Sequence, residues 1–160
     1  MNGFDAAAFR TAMSRFTTGV VVVTAPGPVG MVVSSFTSVS LEPPLVLFCA
    51  GNESTTWPRI RETGRFCANV LAAGQESVAR RFAGPGDRYD GIRHLTGRHG
   101  SPILDGVHAY VDCEIAEEYP GGDHTIVVGR VLELDTGQGT GPLVFHHSRF
   151  HDGAGLNAVC

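Results

Sequence analysis

The sequence has no lysine: all 12 of its cationic side chains are arginine. That absence excludes a P-loop, a Schiff-base enzyme and a lysine general base, because each needs an amine. Charge is scarce altogether, at 18% of residues against about 25% in an average domain. At 42%, hydrophobic residues are too many for a disordered chain. The net charge of −4 leaves no basic excess for nucleic acid. No apolar run reaches the ~20 residues of a membrane-spanning helix. The N-terminus carries Asp5 and no basic start, so it does not read as a signal peptide. Cys49, Cys67, Cys113 and Cys160 form no CxxC pair and no zinc-spaced set with histidine. They read as small buried thiols in a reducing cytoplasm. HExxH and GxSxG are also missing, so neither a zincin nor a nucleophile elbow is expected.

What is present is glycine, 21 of 160 residues, roughly twice the average frequency. A chain of this length fits one domain over residues 1–160. Asp5 caps a helix with Phe9, Ala12, Met13 and Phe16 on one face, closed by Gly19. Val20–Thr24 is a β-branched strand, followed by a Pro26–Pro28 turn. Met31–Leu41 reads as one strand ended by Pro43 and Pro44. Leu45–Ala50 reads as a strand buried on both faces. Thr55 or Thr56 caps a short helix with Pro58 in its first turn and Gly64 past its end. Phe66–Leu71 is a strand and Gln75–Ala83 a helix. Asp87–Gly106 is a long surface loop, of the kind that often carries function. Ala109–Ile115 and His124–Leu134 are strands, Thr136–Gly141 is a turn, and Leu143–Phe150 is a last strand. Strands follow strands rather than alternating with helices. The fold class is therefore mainly β with short helices, an antiparallel barrel rather than a doubly wound sheet.

Three stretches carry candidate chemistry. Ser34, Ser35, Thr37, Ser38 and Ser40 crowd five hydroxyls into seven residues. They form either ordinary sheet surface or a hydrogen-bonding wall for a flat polar ring or a phosphate. Asn52–Thr56 precedes a helix, where hydroxyls and free amides either cap it or hold an anion; Glu53 opposes a phosphate there. Gly121–Thr125 puts His124 beside two glycines at a strand end, where it is either a plain exposed histidine or one facing a ligand. Gly137, Gly139 and Gly141 read as a turn, since Pro142 and a strand follow rather than a helix. His146, His147 and His151 do not read as a metal site. The adjacent pair should point to opposite faces of a strand, and Asp152 is the only further ligand type close in sequence.

Taken in order, these stretches resemble the short-chain flavin reductases with an FMN-binding split β-barrel, the reductase partners of two-component flavin-dependent monooxygenases. The resemblance runs from about Phe9 to His151. It rests on Phe16–Thr24 (FTTGVVVVT), Ser34–Cys49 (SSFTSVSLEPPLVLFC), Gly64–Ala72 (GRFCANVLA), Ala79–Gly84 (ARRFAG) and Gly122–Val131 (GDHTIVVGRV). It implies an NAD(P)H:flavin oxidoreductase in the cytoplasm. The enzyme would be a homodimer using FAD or FMN with NADH, NADPH remaining possible, and would pass diffusible reduced flavin to a monooxygenase. Residues Val32, Val33, Ser34, Ser35 and Phe36 would line the flavin ring, with Cys49 and Ala50 beside it. Ser54 and Thr56 would bind the flavin phosphate. Arg81, Phe82 and Ala83 would reach the ribityl-phosphate or adenylate side. His124 would sit by the nicotinamide, as the one catalytic candidate, and His146 would help form that site. No metal is implied.

The chain departs from the family pattern at three places. Val32 and Ser34 stand where Thr and Asn are frequent, and Glu53 stands where a basic residue often precedes the phosphate-binding serine. These changes fit a weakly held, exchangeable flavin or a preference for FAD. They also keep open a split-barrel protein that retains its flavin and oxidises a substrate itself, or a non-enzymatic flavin binder. Hydride transfer between two cofactors needs no protein nucleophile, which agrees with the missing lysine, triad and metal.

Overall fold

A computed structural model describes residues 3–137, 141–154 and 156. Gly139 of the expected turn and Cys160 lie outside the described residues. In chain order the elements are α1 (Ala6–Met13), β1 (Thr18–Gly19), β2 (Val21–Ala25), β3 (Val29–Val33), β4 (Thr37–Leu41), β5 (Pro44–Gly51), α2 (Trp57–Thr63), β6 (Arg65–Val70), α3 (Glu76–Ala83), β7 (His94–Thr96), β8 (Pro102–Leu104), β9 (Ala109–Gly121), β10 (His124–Thr136), β11 (Leu143–His146) and β12 (Arg149–Asp152).

Seven strands form one antiparallel sheet in the order β3-β2-β6-β9-β10-β5-β4. Its two edge strands are joined in sequence by Ser34–Phe36 alone. Four residue steps span at most about 14 Å, so the sheet must curl until its edges meet. It does: β3 touches β5, without pairing with it. The result is a barrel with an unzipped seam. The expected single strand Met31–Leu41 is therefore two strands on opposite edges. Its Ser- and Val-rich run contains no glycine, proline, asparagine or aspartate to mark the break, which follows from sheet closure.

The barrel interior is filled by Val21, Val23, Val33, Val46, Phe48, Ile60, Phe66 and Val127, among others. Phe48 meets Phe66 and Trp57 edge-on, with centroids 5.0 and 5.9 Å apart. Such aromatic side chains contribute about 1.5–3 kcal/mol each by burial. Gly129 in β10 makes room for them, since a Cβ there would collide with the Phe66 ring. Outside the barrel, Val20, Val22, Leu71, Ala79, Phe82, Leu104 and Leu143 form a second core. Burial on both faces thus belongs to β2, which serves both cores. It does not belong to β5, where Val46, Phe48 and Ala50 are buried while Leu45, Leu47 and Cys49 are half-covered. The outer barrel face over β5 has no layer packed fully against it.

Asp5 caps α1 as expected, accepting from the Ala8 amide at 2.7 Å. The helix ends at Met13 rather than at Gly19. The amides of Arg15 and Phe16 tighten onto Ala12 and Met13, which closes it early. None of its residues is buried, and Phe9 and Met13 stay exposed. The segment Asp87–Gly106 contains the short hairpin β7–β8 rather than only loop. The last expected strand is a hairpin, β11–β12, turning at His147 (φ 50°) and Ser148 (φ 58°) and pairing with β1.

Candidate functional site

A trough follows the barrel seam, built from hollows that share walls. At one end a cleft of about 430 Å³ lies between Met31 and Val32 of β3, the Glu53–Thr56 loop, Phe82 and Ala83 of α3, and Arg88. Val32 leads into a small apolar hollow of about 150 Å³ with Val33, Ser34, Phe145 and Phe150. Ser34 and Phe145 lead on to a hollow of about 440 Å³ under α1, walled by Phe9, Met13, Phe16 and Ser35. In the other direction Thr55, Thr56 and Arg88 are shared with a cleft of about 450 Å³ that includes Gly30, Arg59, Asp87 and Tyr89. The trough is polar and cationic at the Arg88 end and apolar at the Phe145 end.

Arg88 organises the polar end. Its Nη1 donates to the Gly30 carbonyl at 2.8 Å and to Thr56 Oγ1 at 3.0 Å, and its Nε donates to the Gly84 carbonyl at 3.1 Å. These bonds tie β3, the start of α2 and the end of α3 to one guanidinium. A guanidinium carries five N–H groups, so the two on Nη2 have no acceptor among the described residues. No carboxylate lies within ion-pair distance of Arg88 there either. Gly30 permits the closeness of the wall, because a Cβ on it would lie 2.6 Å from Phe82 Cε1. Phe82 stacks edge-on with Tyr89 at 5.1 Å, and the Tyr89 hydroxyl donates to the Val29 carbonyl at 2.8 Å. Burial pushes the Tyr89 phenol well above its ordinary pKa, so it stays a neutral donor.

Thr56 is the N-cap residue of α2, one of the two expected, but its own side chain makes no cap bond; Ser54 Oγ instead accepts from the Thr56 and Trp57 amides at 3.2 and 3.1 Å. Those two amides are therefore used within the protein. What remains outward are the hydroxyl protons of Ser54 and Thr56, and Glu53, which is exposed and has no ion-pair partner among the described residues.

Of the residues singled out by sequence, Val32, Val33, Ser34, Ser35, Ser54, Thr56, Phe82 and Ala83 all line this trough. Ser35 does so with its hydroxyl already engaged by the Cys49 backbone. Phe36 packs against the barrel core, and Ala50 is fully buried within it. Cys49 is half-buried on β5. Arg81 points outward, 3.8 Å from Asp90.

His124 opens β10 opposite Gly51 of β5, and a Cβ on Gly51 would stand 3.8 Å from its Nε2. Its Nδ1 lies 2.7 Å from Asp123 Oδ1. That bond, and the imidazole charge behind it, hold the Asp123 carboxyl below the usual carboxylate range. Asn52 braces the turn: its amide donates to the Asp123 carbonyl and its side chain to the Gly122 carbonyl. His146 lies on β11, with Nδ1 2.7 Å from Thr17 Oγ1. The His146 and His147 rings approach to 4.4 Å instead of facing apart, because His147 sits in the left-handed turn. Among the described residues no group of His, Cys, Asp or Glu is arranged to hold a metal.

Arg88 is the trough residue that motif reading placed only within a loop. Two of its partners, Thr56 and Gly30, lie 32 and 58 residues away in sequence; the third, Gly84, lies four away. The hint in the sequence was an arginine-bearing loop of a length that often carries function.

A mainly β chain with three short helices and a trough along an open barrel seam defines a split-barrel protein of the flavin reductase type. Residues 13–154 match the sequence profile of the flavin reductase like domain, and the chain belongs to that family. It is 42% identical over 147 residues to a flavin reductase of Pseudomonas putida, covering 89% of this chain and 86% of that one. It is 41% identical over 150 residues to the reductase subunit HsaB of a flavin-dependent monooxygenase of Rhodococcus jostii, covering 91% and 77%. The NADH:FAD oxidoreductase SgcE6 of Streptomyces globisporus, whose structure contains NAD and FAD fragments, superposes with a TM-score of 0.90. It is 39% identical and covers 96% of each chain.

Proposed function

We propose that this protein is an NADH-dependent flavin reductase, one flavin reductase-like unit along its length, working in the cytoplasm as a homodimer. It reduces FAD or FMN as a diffusible substrate and releases the product to a flavin-dependent monooxygenase. The observation that carries this reading is the two-ended trough. The guanidinium of Arg88 and the hydroxyls of Ser54 and Thr56 suit a phosphate at one end. Val32, Val33, Ser34 and Phe145 suit a flat ring at the other.

The chemistry is supplied by the two bound molecules. A hydride passes from the dihydronicotinamide to the oxidised flavin, and one proton comes from solvent, giving NAD⁺ and reduced flavin. The chain's part is to hold the rings face to face and to keep the flavin's tail anchored. His124, braced by Asp123 and the Asn52 turn, is placed to hydrogen-bond the nicotinamide amide, and His146 is the second contact on that side. Dimerisation is supported by the apolar side chains left in solvent, Phe9, Met13 and Phe16 near the trough and Leu41 at the edge of β4.

The test is NADH oxidation by purified protein, stripped of flavin, with FAD, FMN or neither added. Turnover that depends on added flavin is expected. Flavin binding without NADH turnover would overturn the reading in favour of a flavin binder or a protein that keeps its flavin for another substrate.

A further inference from the structure

We propose that Glu53 and Arg88 sort flavins by the charge of the phosphate next to the ribityl chain, and that this protein thereby favours FAD over FMN. The inference rests on the reading of the trough as a flavin site, and it assigns the two residues opposed roles there.

Three free donors border the 430 Å³ cleft: Nη2 of Arg88 and the hydroxyls of Ser54 and Thr56. Arg88 is clamped by three acceptors on three different elements, so its orientation is set before a ligand arrives. Bordering the same cleft, next to Ser54 in the chain, is one carboxylate, Glu53. The combination is unusual for a phosphate pocket. It lowers the net charge that a phosphate meets from +1 to zero while leaving the hydrogen-bond donors in place.

A pocket of that kind reads the ionisation of its ligand. The monoester phosphate of FMN carries about −1.5 to −2 at pH 7. In FAD the same phosphate is esterified on both sides and carries a single charge. The second charge lies one phosphate further on. Past the shared wall of Thr55, Thr56 and Arg88, the neighbouring 450 Å³ cleft holds Arg59 and only one carboxylate, Asp87, whose Oδ1 accepts from the Tyr89 amide. Exchanging FMN for FAD therefore removes up to one charge from the field of Glu53 and moves it toward Arg59. Glu53 is exposed, so water and salt weaken its field. A discrimination of about fivefold is the expected scale for one such charge at contact range.

The experiment measures dissociation constants for riboflavin, FMN and FAD by quenching of flavin fluorescence, in the wild type, Glu53→Gln and Arg88→Gln. The wild type should bind FAD about fivefold tighter than FMN. Glu53→Gln should tighten FMN about fivefold and FAD less than twofold, and leave riboflavin unchanged. Arg88→Gln should weaken both phosphorylated flavins and spare riboflavin. Retained riboflavin binding shows that the fold has survived. Equal tightening of FMN and FAD in Glu53→Gln, or a wild type that prefers FMN, overturns the inference while leaving the flavin-reductase reading intact. Failure of all three flavins to bind the wild type overturns that reading and the inference together.

Discussion

The Ser35 hydroxyl accepts from the Cys49 amide at 2.9 Å and donates to the Cys49 carbonyl at 3.3 Å. One side chain thus stands in for a strand at the seam. β4 pairs with β5 only as far as Leu47, and Cys49 is the next residue whose backbone groups face that way. The Ser35→Ala variant leaves a half-buried N–H and C=O without protein partners, at a cost of about 1–2 kcal/mol. For a chain of this size that is a fall in Tm of about 2–8 °C, measurable by calorimetry. An unchanged Tm would mean that water replaces the hydroxyl at no cost.

His124→Ala should raise the apparent KM for NADH about three- to tenfold, the scale of one hydrogen bond lost to a bound ligand. The apparent KM for flavin should change less. Steady-state kinetics with each substrate varied in turn separates the two. An unchanged NADH dependence removes His124 from the nicotinamide side.

Gly129→Ala places a methyl group against the Phe66 ring and 3.0 Å from Cys113 Cβ, in the fully packed barrel interior. Overpacking of this kind costs about 1–3 kcal/mol. Urea unfolding should show a lower midpoint with an unchanged slope.

Asp112 is buried, with Oδ2 2.7 Å from His99 Nδ1 and Oδ1 without a partner among the described residues. Burial raises its pKa above 3.8, and the bond and charge of His99 only partly oppose this. A carboxyl that holds its proton more tightly when folded stabilises the fold most below its unfolded pKa. That contribution is lost as pH rises through the folded value. Asp112→Asn, which never ionises, should therefore gain Tm relative to the wild type as pH rises from about 4 to 7. A variant that instead loses Tm relative to the wild type over that range would show that His99 holds Asp112 as a favoured carboxylate.

The sequence patterns carried the long elements well. Alternation marked β9 and β10, the β-branched run marked β2, and Asp5 marked the start of α1. Three features were hidden because their causes are tertiary. Ser34–Phe36 breaks a strand only because the sheet curls. The β7–β8 hairpin is three residues a side, exposed along β7 but mostly buried along β8, and too short for alternation to register. The apolar face of α1 was read as a face, but none of the described residues buries it. In the trough, the short-range hydroxyls were visible as a cluster in sequence. The grip of Arg88 on Gly30 and Thr56 was not, since it exists only after β3, α2 and α3 have been packed together.

The trough's division into a polar end and a largely apolar end also bears on redox energetics. No carboxylate lines the hollow of Val32, Ser34, Phe145 and Phe150, but two cations stand near it: Arg80 lies over the Phe150 ring, 5.3 Å from its centroid, and Arg10 lines the adjoining hollow under α1. A phosphate at Arg88 has the same charge before and after the ring accepts a hydride. A binder that holds two states of a ligand equally leaves the equilibrium between them where it lies in water. Arg10 and Arg80 favour whichever state carries more negative charge, so on this reading the midpoint potential of the bound flavin moves upward only as far as the ring gains negative charge on reduction.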